Sequence, residues 1–116
     1  MTETFGRERR LTRRAEFTRA YAGGKAYPTP WFVCHVLDTG DCTQPTRLGT
    51  SASRRTGSAH ERNRYKRWAR EVFRRQRLRP GADVVVSFRR AIASADFEQF
   101  RSALVRVFGR ADLYES

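Results

Sequence analysis

Arginine carries most of the chemistry this chain can offer. Arg62, Lys66 and Arg70 recur at steps of four, Arg64 and Arg67 stand beside them, and Asn63 lies inside the same run, R-N-R-Y-K-R-W-A-R. On a helix that spacing lines three cations along one flank. A planar guanidinium binds phosphate through two parallel hydrogen bonds and stacks on bases, whereas lysine acts mainly as a point charge. Arg54 and Arg55 come just before, ahead of Thr56-Gly57-Ser58. There Gly57 would allow a positive φ and leave the following helix N-terminus open to an anion. Asn63 either reads a base edge or a ribose hydroxyl, or caps the loop behind it. Of the 24 lysines and arginines, 12 fall between positions 47 and 79, beginning at Arg47 and offset only by Glu61 and Glu71. A surface kept merely soluble mixes its signs, so this stretch is expected to meet a polyanion.

Bond-breaking groups are harder to find. No nucleophile stands beside a base, and no carboxylate pair is spaced for metal-assisted hydrolysis. His35 and His60 are the two histidines, the pair a stand-alone ribonuclease would need as base and acid. With Cys34 and Cys42 they form no zinc-like spacing, and the two thiols are expected to stay free in a reducing compartment. The net charge of +12 suits nucleic acid or an anionic membrane. The N-terminal MTETFGRERR lacks the apolar core of a signal peptide, and no run approaches the ~18 apolar residues of a span. A cytoplasmic protein is therefore expected.

The elements that position these residues follow from periodicity. With 116 residues the chain makes one domain, and residues 1–10 form a mobile basic arm. A first helix over 12–22 puts Phe17, Ala20 and Tyr21 on one face, an aromatic pair that serves either as core or as a ligand platform, and Gly23-Gly24 end it. Residues 25–30, with Pro28 and Pro30, make an extended loop. Residues 31–37 form a strand and 47–53 a weaker one, joined as an antiparallel hairpin. Gly49 marks a bulge or the close approach of another group. In the central helix Tyr65, Trp68, Ala69, Val72 and Phe73 are the buried stripe, with Glu61 suiting the helix dipole. Pro80-Gly81 stop that pattern, residues 84–88 form the clearest strand, and Ser94 caps a last helix carrying Phe97, Phe100, Leu104, Val107 and Phe108. The order α-β-β-α-β-α gives an α+β fold whose mixed sheet contains one parallel pair. A DNA-reading helix-turn-helix does not fit, because the basic helix follows a strand.

The run R-L-G-T-S-A-S-R-R-T-G-S-A-H-E-R-N-R-Y-K-R-W-A-R-E-V-F-R at 47–74, with R-L-T-R-R-A-E-F-T-R-A-Y before it, resembles the protein subunit of bacterial ribonuclease P. The resemblance covers nearly the whole chain. It implies a left-handed β-α-β crossover of the kind found in a ribosomal-protein domain, where periodicity and base rates alone favour the right-handed one. It implies binding to a catalytic RNA, with Arg54, Arg55, Arg62, Asn63, Arg64, Lys66, Arg67 and Arg70 as RNA contacts. It also implies removal of the 5′ leader of precursor tRNA, the single-stranded leader lying in a cleft lined by Phe17, Tyr21 and His35. Mg²⁺ is then held mainly by RNA and substrate, and the protein supplies no catalytic side chain. Tyr21 stands where the family more often has Phe, and His35 where an aromatic such as Tyr is expected. His60 and Glu61 replace smaller or apolar residues.

Overall fold

The structure is a computed structural model that describes residues 7–115. Helix α1 spans Arg14–Gly23, followed by strands β1 (Lys25–Pro28), β2 (Phe32–Asp38) and β3 (Arg47–Ser51), helix α2 (Ala59–Arg74), strand β4 (Ala82–Phe88) and helix α3 (Phe97–Arg110). The four strands form one mixed sheet in the order β1-β2-β4-β3. β1 with β2 and β2 with β4 run antiparallel, while β3 and β4 are parallel. The α+β class and the parallel pair bridged by α2 are as expected. Two strand assignments differ. The segment expected as loop contains β1, and Pro28 is tolerated there because β1 is an edge strand with no ladder to feed on its outer side. β2 and β3 do not form a hairpin, because β4 lies between them.

The reason lies in burial. β4 is closed over on both faces, with Val84, Val85 and Val86 each at 0% exposure, and a strand apolar on both sides belongs at the centre of a sheet. On one face Val84, Val86 and Phe88 join Phe32, Cys34 and Val36 of β2. Against them pack Tyr65, Ala69, Val72 and Phe73 of α2 and Phe100, Leu104, Val107 and Phe108 of α3. Trp68 lies at the rim of this core with its ring against Phe97 and Phe100. Each fully buried Phe of this core, Phe32, Phe73, Phe100 and Phe108, contributes about 1.5–3 kcal/mol. On the other face Val85 meets Leu11 and Ala20, with Phe17 and Leu37 beside them. Among the helices of the described residues only α1 covers this side.

The cap of α3 is Asp96, not Ser94. Asp96 accepts from the Gln99 amide at 2.8 Å and Gln99 reciprocates at 2.9 Å, a reciprocal capping box. Ser94 instead closes a 3₁₀ turn, Arg90–Ser94, that buries Ile92. Of the expected basic arm, residues 1–6 lie outside the described residues. Residues 7–10 lie along the sheet: Arg7–Arg9 form a 3₁₀ turn and Arg10 bridges Leu48 in parallel. The Arg9 guanidinium stands 4.7 Å over the Phe73 ring.

Candidate nucleic-acid interface

The sequence Thr56-Gly57-Ser58 delivers the chain from β3 into α2. Ser58 accepts the Glu61 amide at 3.2 Å, and Glu61 takes the Ser58 amide at 2.8 Å. These hydrogen bonds hold the Glu61 carboxyl below its usual range. Gly57 has φ 153°, and a side chain there would come 2.8 Å from the Glu61 carboxylate. The capping box thus takes the Ser58 and Glu61 amides and sets a carboxylate at the turn where the sequence suggested an anion.

Beyond the cap the helix separates its faces. Tyr65, Ala69, Val72 and Phe73 are buried, while Asn63, Arg64 and Arg67 are exposed and Arg62, Lys66 and Arg70 half-buried. Glu71 is drawn to Arg74 and Arg75, at 2.6 and 2.9 Å. Among the described residues Arg62, Arg64, Lys66, Arg67 and Arg70 enter no ion pair. Arg54 and Arg55, in a 3₁₀ turn before α2, are exposed as well. Asn63 does not cap the loop, since Ser58 does. Burial pulls the Arg70 pKa down, and the neighbouring charges of Arg10 and Arg67 pull it further. Cations so crowded favour an anion between them. Arg70 and Arg10 line a cavity of about 220 Å³ whose wall also includes Thr12, Thr50 and Phe17.

A second surface lies across the sheet. α1 lays Phe17 over β3, where a Cβ on Gly49 would come within 2.7 Å of the ring. One turn later Tyr21 is 42% exposed. Its hydroxyl meets Ser87 of β4 at 3.1 Å, and its ring stands edge-on to His35 of β2, centroids 5.0 Å apart. Burial lowers the His35 pKa, and among the described residues Nδ1 is buried without a partner. Protonating that nitrogen would bury an unsatisfied N–H, so burial and geometry both favour the neutral ring. The structure therefore joins Tyr21 and His35 directly and sets Phe17 one turn before Tyr21 on α1. His60 is exposed on the first turn of α2, which packs on the opposite side of the sheet from His35, so the two histidines do not form an acid–base pair.

Sequence reasoning missed the polar contact that joins the start of α1 to the sheet. By composition Arg47 belongs with the polyanion-facing cations, yet its Nε and Nη2 donate to Asp83 at 3.0 Å each and its Nη1 to Glu16 at 2.6 Å. Asp83 is 2% exposed. Nothing in the sequence signals this, since the partners lie 31 and 36 positions away.

The family model described as Ribonuclease P matches residues 5–112. The chain belongs to the ribonuclease P family. It is 35% identical over 118 residues to the ribonuclease P protein component of Thermotoga maritima, covering 97% of this chain and 99% of that one. The fold is similar to the Staphylococcus aureus RNase P protein, with a TM-score of 0.82 at 27% identity over 92% of this chain and 98% of that one. For the T. maritima RNase P protein structure the TM-score is 0.76 at 33% identity, over 87% and 96%. Family membership makes the chain a ribonuclease P protein component, part of a ribonucleoprotein endoribonuclease of tRNA processing, with an RNA partner.

Proposed function

We propose that this chain binds the catalytic RNA of ribonuclease P through the basic face of α2 and holds the single-stranded 5′ leader of precursor tRNA in the cleft between α1 and the sheet. The observation that carries the first half is the set of cations on α2 without carboxylate partners, on a helix whose opposite stripe is locked into the core. Arg54, Arg55, Arg62, Arg64, Lys66, Arg67 and Arg70 neutralise phosphates, and Asn63 offers an amide to a base edge or ribose hydroxyl. The second half rests on Tyr21 and His35 in edge contact beside Phe17. Such rings stack on unpaired bases without demanding a particular sequence. Precursor is favoured over product because only precursor has a leader to hold.

Among the described residues no three His, Cys, Asp or Glu side chains converge as metal ligands. In this proposal Mg²⁺ is held by RNA and substrate and supplies the activated water, while the protein's part is to position phosphates and leader. The setting is the cytoplasm; among the described residues no helix is long and apolar enough to cross a membrane.

Reconstitution with ribonuclease P RNA and a precursor tRNA at low Mg²⁺ tests the whole proposal, with stimulated cleavage expected. Arg62→Ala with Arg70→Ala should weaken RNA affinity. The salt slope should fall by about 0.7 for each single-strand phosphate that is no longer neutralised. Unchanged affinity and slope would mean that α2 does not face RNA.

A further inference from the structure

Helix α1 carries the leader-facing rings, yet it has few apolar anchors. It is 10 residues long and only Ala20 is fully buried. A helix this short is marginal without tertiary support. Among the described residues two polar attachments tie it to the sheet, the Tyr21–Ser87 contact near its end and the Glu16–Arg47–Asp83 chain near its start.

The second of these is built for rigidity. Arg47 of β3 and Asp83 of β4 are directly paired in the parallel register, and the guanidinium fork meets the buried carboxylate through two parallel hydrogen bonds, the geometry that most restricts a side chain. The third nitrogen, Nη1, reaches Glu16. Glu16 uses its other oxygen to accept the Thr12 and Arg13 amides, at 3.2 and 3.0 Å, so one carboxylate both starts α1 and docks it. Each of the three nitrogens of Arg47 therefore donates to a carboxylate, so the charge of this guanidinium is already countered within the protein. Two residues along β3, on the same face of the strand, Gly49 provides the seat for the Phe17 ring. The clamp and the seat are thus fixed to one strand, and Phe17 follows Glu16 directly.

We propose that Arg47 is a positioning residue for leader selection: anchored by Asp83, it holds Glu16 and so sets the distance at which Phe17 and Tyr21 stand from the sheet. This rests on the leader-cleft assignment made above. The clamp acts on substrate preference and not on affinity for the ribozyme, because α2 is held by a separate core on the other face of the sheet.

The test uses holoenzyme reconstituted from the full chain and ribonuclease P RNA, cleaving precursors with a long leader and with a one-nucleotide leader. Arg47→Met combined with Asp83→Leu removes the pair without leaving the buried Asp83 carboxylate alone, a replacement that well-packed proteins often accept, while Glu16 keeps its Thr12 and Arg13 amides; circular dichroism confirms the fold. The ratio of short-leader to long-leader KM should fall by roughly five- to tenfold, the size of effect expected when about one stacked base is released. Ribozyme affinity and kcat at saturation should hold. Arg47→Lys, which keeps the charge but not the fork, should restore part of the ratio. A ratio at its wild-type value, or KM raised alike for both leaders, would overturn the proposal. If the wild-type holoenzyme itself shows no leader advantage, the cleft assignment fails instead, before any variant is compared.

Discussion

At Gly49 an added methyl group would lie 2.7 and 2.8 Å from two carbons of the Phe17 ring and 3.1 Å from the Leu11 side chain. Leu11 has little room, being 6% exposed and tied to Leu48 through its amide at 2.9 Å, so the half-buried Phe17 ring must give way. Gly49→Ala should therefore destabilise the fold by about 1–3 kcal/mol, the usual cost of overpacking, and shift Phe17. A denaturation midpoint equal to wild type would show that the ring moves aside freely. The sequence offered two explanations for a glycine in a strand, a bulge or a close approach, and the structure selects the second. Other residues were less legible. Periodicity identified Tyr65, Ala69, Val72 and Phe73 as buried because burial follows the helical repeat. It was blind to the fate of Arg47, because a cation's partner is a matter of tertiary distance and composition counts every arginine alike. The Tyr21 hydroxyl was likewise visible as a departure from the family, but its contact with Ser87, 66 positions away, was not.

Among the elements, α1 is the one whose attachment titrates. Burial alone would raise the Glu16 carboxyl. The Arg13 and Thr12 amides and the Arg47 guanidinium more than reverse this and hold it below its ordinary 4.5. A carboxylate whose pKa is depressed by folding stabilises the fold above its unfolded pKa, and that contribution is lost as pH falls through the folded value. Glu16→Gln should thus melt below wild type at pH 7, and the difference should close as the pH drops below about 4, measured by thermal scans across that range. A gap independent of pH would mean that the ion pair does not secure α1. Element order and type were legible where patterns were long, as in α2 and α3. Partner choice among strands was not. The link between β2 and β3 is short enough for a hairpin, but β4 is apolar on both faces and takes the central place, which no local pattern in 31–53 reveals. The start of α3 lies beyond Ser94 for a related reason: Ile92 is 0% exposed, and burying it holds residues 90–94 in a 3₁₀ turn before the helix begins.

For the molecule as a whole, a net charge of +12 is confined within a radius of gyration of 13.3 Å. Such self-repulsion opposes the compact state, and any anion bound by the folded form stabilises it by mass action, by about 2.7 kcal/mol at 100 times its Kd. The melting temperature should rise in sulfate relative to chloride at equal ionic strength. Part of that rise should vanish in Arg62→Ala/Arg70→Ala, which separates binding from the general salting effect of sulfate. Equal shifts in both proteins would mean that the α2 face does not collect anions.

The strand order β1-β2-β4-β3 also sets a timetable. β1 and β2 can zip together as soon as both have left the ribosome, because they are neighbours in sequence and in the sheet. β3 has no strand to pair with until residues 82–88 have been made, by which time the whole arginine-rich stretch has been synthesised and has no core to rest on. Pairings of this separation form late and slowly. Until then the arginine-rich stretch has no completed sheet to pack against, and the strand that ends the wait is the one that both completes the sheet and supplies, through Asp83, the anchor for Arg47.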